Sequence, residues 1–176
     1  MGNNQNHQKN HKKGHQHITY SEMYKIIIIG YWKVGKTSII NKYLEGKEFN
    51  KPSNSINIFG FLFEGRNIGV QICEYSITDL GAGSGLFESR RTDIFIFVYD
   101  ISDKATFVSI KRNITIYKDR FEEKDALIKL VGNKFDFPRR EIQRNLEENL
   151  AKEYNAFFIE TSTVTGEGIN NYMSYV

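Results

Sequence analysis

The stretch Gly30-Tyr31-Trp32-Lys33-Val34-Gly35-Lys36-Thr37 constrains this chain more than any other feature. Ile26-Ile27-Ile28-Ile29 runs into it. Four adjacent branched aliphatic side chains suit a strand covered on both faces, so residues 24–29 read as a buried strand. Residues 36–44 read as a helix. Glycines at the two ends of the connecting loop let the backbone turn sharply, so that its N–H groups and the positive end of the helix converge on one point. That arrangement cradles phosphate. The pattern GxxxxGK[ST] between strand and helix places the Lys36 ammonium to reach β- and γ-phosphates and the Thr37 hydroxyl to ligate Mg²⁺. Gly30, Lys33, Val34, Gly35 and Ser38 belong to the same cradle.

Downstream, strand and helix signals alternate. Residues 56–63 and 67–75 read as two strands joined through Glu64-Gly65-Arg66, a hairpin turn. Residues 94–99 form an apolar strand, followed by a helical pattern from 104 to about 120. Residues 127–131 are a strand, 140–154 a helix, 156–160 a strand, and a short last helix begins near Gly166. The expected fold is α/β: three layers, with a mostly parallel six-stranded sheet and helices on both faces. Ligands of such folds sit at the carboxyl ends of the strands, and the phosphate loop falls there.

A second motif falls at the same end. Asn133-Lys134-Phe135-Asp136 follows the strand at 127–131, about a hundred residues beyond the loop. A carboxylate at Asp136 can accept two parallel hydrogen bonds from N1–H and the 2-amino group of guanine, a donor pair that adenine lacks. Four such residues alone could be a turn; coupled to the phosphate loop they read as a guanine site. Glu160-Thr161-Ser162-Thr163 after the following strand supports this. An ATPase or kinase of the same loop type is the competing class, and the guanine motif counts against it.

With these residues in place the chain resembles a Ras-superfamily GTPase, nearest to the Rab branch, over residues 22–176. The resemblance is carried by Lys36-Thr37-Ser38-Ile39-Ile40-Asn41-Lys42-Tyr43, by Phe97-Val98-Tyr99-Asp100 and by Val131-Gly132-Asn133-Lys134-Phe135-Asp136. It implies a Ras-like G domain of the P-loop NTPase type that binds GTP and GDP with Mg²⁺. Ser162, Thr163 and Val164 would lie about the guanine oxygen, and Phe49 against the guanine edge. The activity implied is a switch in vesicle traffic or signalling, served by protein effectors and an exchange factor.

The resemblance fails where hydrolysis is performed. The family's DxxGQ falls on Glu74-Tyr75-Ser76-Ile77-Thr78. Glu74 stands for the metal-side aspartate, Ile77 for a glycine whose N–H meets the γ-phosphate, and Thr78 for the water-orienting glutamine. Ile77, being β-branched, cannot readily take a glycine-only conformation, and Trp32 is expected to crowd the γ-phosphate. The Mg²⁺-touching threonine aligns with Ser55; a one-residue slip gives Ile56, and Ser53 is nearby. Hydrolysis is therefore expected to be very slow at most, with no intact catalytic residue. The alternative is a pseudo-GTPase scaffold that holds guanine nucleotide constitutively. Gly81-Ala82-Gly83-Ser84-Gly85 reads as a mobile second switch, since Leu86 breaks the dinucleotide pattern GxGxxG. Cys73 stands where Rab-like effectors meet an aromatic.

Composition bounds the rest. Of 24 basic residues, Lys9, Lys12 and Lys13 lie in residues 1–21, which hold no acid; the other 21 are matched by 21 acidic residues, so the net +3 belongs to the tail. That argues against a nucleic-acid-binding face. The Asn/His/Lys-rich tail 1–21 cannot bury enough apolar area to offset its ordering entropy and reads as disordered. His7, His11 and His15 share a helical spacing but read as part of that tract. One cysteine and a polar N-terminus suit a cytoplasmic protein. Weak peripheral attachment to endomembranes is conceivable through an acylated Gly2 with the nearby lysines, although Asn6 stands where acylation prefers Ser or Thr. Residues 22–176 form one domain whose last helix is short or truncated, leaving open a fragment followed by a further domain.

Overall fold

The computed structural model describes residues 19–45, 58–78, 91–120 and 126–170. Its described elements run β1 (Glu22–Gly30), α1 (Lys36–Leu44), β2 (Ile58–Phe63), β3 (Arg66–Ser76), β4 (Ile94–Asp100), α2 (Lys104–Arg120), β5 (Leu127–Asn133), α3 (Arg144–Glu153) and β6 (Phe157–Thr161). The strands make one six-stranded sheet in the order β2-β3-β1-β4-β5-β6. Only the β2–β3 pair is antiparallel. The expected α/β architecture is observed.

Side-chain alternation assigns the two cores. Ile26 and Ile28 face one side with Ile39 and Ile40 of α1 and with Ile96, Val98 and Val131. Ile27 and Ile29 face the other with Phe97 and Tyr99 of β4, Phe107, Ile110 and Ile114 of α2, and Leu150 and Ala151 of α3. The unbroken apolar runs of β1 and β4 are thus needed on both faces. The β2–β3 turn uses left-handed Glu64 (φ 48°) and Gly65 (φ 75°), the pair of positive φ angles that a tight hairpin requires. Asp103 starts α2 by accepting the Ala105 N–H on its side chain at 2.9 Å. Tyr20 and Ser21, placed in the tail by composition, already contact the sheet: Ser21 N–H donates to the Asn67 carbonyl at 2.8 Å.

One helix begins later than its sequence pattern suggests. Residues 140–143 precede α3 instead of opening it. Glu141 N–H donates to the Ile101 carbonyl at 2.9 Å, and Ile142 is buried. Helical periodicity continues through Arg140, but docking on the end of β4 takes those residues out of the helix. The first two residues of the strand expected at 56–63 lie outside the described residues. The expected last helix is seen as a turn at Glu167–Gly168 and helical residues Ile169 and Asn170.

The sheet order fixes where a ligand can sit. From β1 the chain passes to β3 on one side, and β4 and β5 build outward on the other. The reversal opens a crevice at the carboxyl ends of β1 and β4. Gly30, Asp100, Asn133 and Thr161 are the last residues of four neighbouring strands at that end.

Candidate functional site

The loop after Gly30 is a curled cradle. Lys33 (φ 63°) and Gly35 (φ 99°) are left-handed, and Gly35 caps α1. Val34 pins the loop by burying its side chain in the core. The Lys36 ammonium arches back to the carbonyls of Gly30 and Tyr31, both at 3.1 Å. α1 itself carries no acidic residue in its first turn, so its own side chains do not offset the positive helix end. Thr37 and Ser38 are exposed in that turn. Together these groups offer an anion a lysine, a helix terminus and outward backbone.

Asn133 locks this loop to the next. It is completely buried; its Nδ2 donates to the Val34 carbonyl at 2.8 Å, and its Oδ1 accepts from the Thr161 hydroxyl at 3.0 Å. Gly35 is required by the same contact, because a Cβ there would stand 2.4 Å from Asn133 Nδ2. Lys134, also left-handed (φ 66°), donates its ammonium to Asp100 Oδ2 at 2.6 Å. Asp100 Oδ1 accepts the Ser102 hydroxyl at 2.6 Å and its N–H at 2.9 Å. Burial raises the Asp100 carboxyl, but Lys134 and Ser102 outweigh it and hold the group below its ordinary value. Asp136 is exposed and makes no hydrogen bond among the described residues, so its carboxylate is available to a ligand.

The loop after β6 closes on itself. The Ser162 hydroxyl accepts the N–H groups of Val164 at 3.2 Å and Thr165 at 3.0 Å, and Phe135 N–H reaches the Thr161 carbonyl at 3.2 Å. Ser162 is buried, Thr163 half-buried and Val164 exposed. Ser162 therefore shapes the loop with its side chain.

At the end of β3, Glu74 Oε2 accepts the Thr37 hydroxyl at 2.7 Å. Both are hard oxygen donors of the kind that Mg²⁺ takes. Ile77 does not take a glycine-only conformation. It is not among the left-handed residues; its N–H donates to the Gly30 carbonyl at 3.2 Å and prolongs the β1–β3 pairing past Gly30 opposite Ser76. Thr78 is exposed, with its hydroxyl 2.8 Å from that of Ser76. Trp32, on the same loop as Gly30, is 70% exposed and therefore not part of the core. Phe49, Ser53, Ser55, Ile56 and the segment 81–85 lie outside the described residues.

The structure thus gathers Gly30, Lys33, Val34, Gly35, Lys36, Thr37, Ser38, Glu74, Thr78, Asn133, Lys134, Asp136, Ser162, Thr163 and Val164 at one end of the sheet. Sequence reasoning assigned no role to Asp100 or Thr161, although both stood inside motifs that it quoted. For Asp100 the available signal was an acidic residue ending a strand that is otherwise nearly all apolar.

Comparison with known proteins agrees with this geometry. The family model described as the Ras family matches residues 25–176. The Ras-related protein SEC4 of Saccharomyces cerevisiae is 31% identical over 160 residues, covering 86% of this chain and 72% of that protein. The Ras-related protein Rab-26 of Bos taurus is 29% identical over 160 residues, 86% of this chain and 61% of its own. The Ras-related protein RabJ of Dictyostelium discoideum is 31% identical over 152 residues, 82% of this chain and 58% of its own. The chain thus spans about three-fifths of Rab-26 and of RabJ.

Proposed function

The chain belongs to the Ras family, and from that premise we propose that it is a Rab-like GTP- and GDP-binding switch of vesicle traffic whose own hydrolysis of GTP is very slow. The observation that carries the binding half is Asn133, whose one side chain joins the phosphate loop at Val34 to the loop after β6 at Thr161. Phosphate-binding and base-reading groups are held at a fixed separation by a buried amide, as recognition of both ends of one nucleotide demands.

In this reading the backbone of residues 33–37 and the Lys36 ammonium take the phosphates. Asp136 takes the guanine edge, and the loop of Ser162, Thr163 and Val164 lies about its oxygen. Phe49 would flank the base. Thr37, Glu74 and Ser55 would serve Mg²⁺, which neutralises phosphate charge when bound. The Thr37–Glu74 hydrogen bond supports that donor set, since both oxygens converge on one place.

The slow-hydrolysis half rests on Ile77 and Thr78. The Ile77 N–H, at the position where the family's glycine would offer its N–H to a γ-phosphate, is spent on the Gly30 carbonyl. Thr78 offers a short hydroxyl turned toward Ser76 where a long amide is needed to orient water.

Partners follow from this reading as protein effectors and an exchange factor, and location as cytoplasmic or peripheral on endomembranes. No helix among the described residues is long and apolar enough to cross a membrane. The deciding experiment compares affinities for GDP, GTP and ATP by fluorescent-nucleotide displacement, together with single-turnover hydrolysis. Guanine selectivity with slow turnover is expected. Equal affinity for ATP would overturn the base assignment. GDP and GTP bound alike, with no conformational difference between the two forms, would favour the constitutive scaffold.

A further inference from the structure

Glu147, on α3, is completely buried. Nucleotide chemistry has no evident use for a carboxylate there. Its Oε1 accepts the Tyr99 hydroxyl at 2.7 Å, and its Oε2 pairs with the Arg140 guanidinium. Arg140 reaches with its other terminal nitrogen to Glu160 Oε1, and its Nε donates to the Ile142 carbonyl at 2.6 Å. Arg144 closes the far side, donating to Glu160 Oε2 at 2.9 Å and to Glu148 Oε1 at 3.0 Å. The groups facing Glu147 are thus Tyr99 from β4 and Arg140 from the 134–143 segment, with Glu160 of β6 and Arg144 of its own helix behind the arginine.

Each anchor adjoins a base-side residue. Tyr99 precedes Asp100, the partner of Lys134. Glu160 precedes Thr161, the partner of Asn133. Arg140 lies on the segment that leads from Asp136 into α3. Three stretches of chain are thus joined behind the site, two of them directly at Glu147 and the third through Arg140, in addition to the Lys134–Asp100 pair. Stability alone is a weak reason to bury it, because apolar groups of similar volume often serve a fold as well or better than a buried ion pair. Geometry is a better one: a planar guanidinium between two carboxylates fixes direction as well as distance.

We propose that Glu147 is a positioning residue for the guanine end of the site: through Tyr99, Arg140 and Glu160 it holds the loops after β4, β5 and β6 in register and so sets how long a guanine nucleotide stays bound. The proposal rests on the nucleotide reading given above. Glu147 touches no part of the nucleotide and acts only through the loops.

The test measures release of mant-GDP and mant-GTP in excess Mg²⁺ from wild type, Glu147→Gln, Glu160→Gln, the double variant and Asp136→Ala, with thermal midpoints alongside. Glu147→Gln keeps the shape and the Tyr99 bond but drops the charge that orients Arg140. It should speed release by roughly tenfold, the worth of one charged hydrogen bond. The factor should be the same for both nucleotides, whose base is common, while the midpoint moves by less than about 4 °C. The double variant should be no faster than the faster single one, since both act through Arg140. If Glu147→Gln does not fold, Glu160→Gln loosens the same arginine from its less buried side and should reproduce the faster release. Wild-type release from a folded Glu147→Gln, with Asp136→Ala accelerated, would overturn the positioning role and leave the nucleotide reading standing. So would additive effects of the two glutamines. Unchanged binding in Asp136→Ala would overturn the nucleotide reading itself.

Discussion

Around the guanine-side loops Asn133 and Thr161 bond to each other while buried and Lys134 pairs with Asp100, whereas at the end of β3 Glu74, bonded to Thr37, and Thr78, bonded to Ser76, are exposed side chains. Asn133, Lys134 and Thr161 each bond to a residue far away in sequence, and the charges behind them are layered from Glu147 to Arg144. By contrast the Thr78 hydroxyl pairs with Ser76 two residues away, and the Ile77 N–H turns back onto Gly30. The two regions would touch the same nucleotide. One has the cross-linking needed to hold a ligand rigidly; the other lacks the free, directed groups needed to act on one. On the proposed function, the difference teaches that affinity and turnover would rest on different residues of one fold.

The sharpest way to break the comparison is Asn133→Ala. It leaves the Val34 carbonyl and the Thr161 hydroxyl without their buried partner and opens a void. We expect a loss of about 2–5 kcal/mol in urea unfolding, together with loss of nucleotide binding. A loss below about 1 kcal/mol would mean that the loops are held by something other than this amide.

Asp136 should behave in the opposite sense, costing binding without costing stability. Asp136→Asn should weaken GDP by about 1.5–3 kcal/mol and move preference toward xanthine nucleotides, while the unfolding midpoint stays put, because the side chain is exposed and bonds to nothing else described. Isothermal titration with both bases, alongside denaturation, separates the two quantities.

A smaller effect should appear with pH. The Asp100 carboxyl lies below its ordinary value of 3.8 in the folded chain. A group lowered on folding stabilises above its unfolded value, and that contribution is lost as pH falls through the folded value. Acid titration of wild type should therefore show a loss of stability below about pH 4 that is shallower in Asp100→Asn. Parallel curves would detach Asp100 and Lys134 from the cross-linked region.

The least effect is expected from repairing the other region piecemeal. Thr78→Gln alone should change single-turnover hydrolysis by less than about threefold, because the Ile77 N–H remains committed to Gly30 and one part of an assembly does little alone. The triple change Trp32→Gly, Ile77→Gly and Thr78→Gln should exceed the product of the single effects. Rapid hydrolysis by wild type would erase the contrast and point to a water-positioning group not yet recognised.

Much of the base-side region was legible in the sequence, since Gly30 to Thr37 and Asn133 to Asp136 declare their chemistry in residue type and spacing. The apolar runs of β1 and β4 likewise declared a sheet covered on both faces. What stayed hidden was long-range pairing. Nothing local marks Glu147 as buried: its neighbours Glu148 and Asn149 are polar, and only the fold brings Tyr99 and Arg140 to it. The start of α3 was misread for a related reason, because the pull of Ile101 on residue 141 is a tertiary force with no trace in helical periodicity. Ile77 was legible as an obstacle to a glycine conformation, but not as a residue content in ordinary extension.

The fit between Gly35 and Asn133 bears on how such a chain can be rebuilt or can diverge. With 2.4 Å between a would-be methyl at 35 and the amide nitrogen of 133, neither position is a free variable. A designer who transplants the loop 30–37 from a relative must bring a glycine at 35 or cut back the side chain at 133, and cutting back unties Thr161 as well. Changes at the two sites are therefore coupled, and the two proposed ends of the nucleotide site form one module although about a hundred residues separate them in the chain.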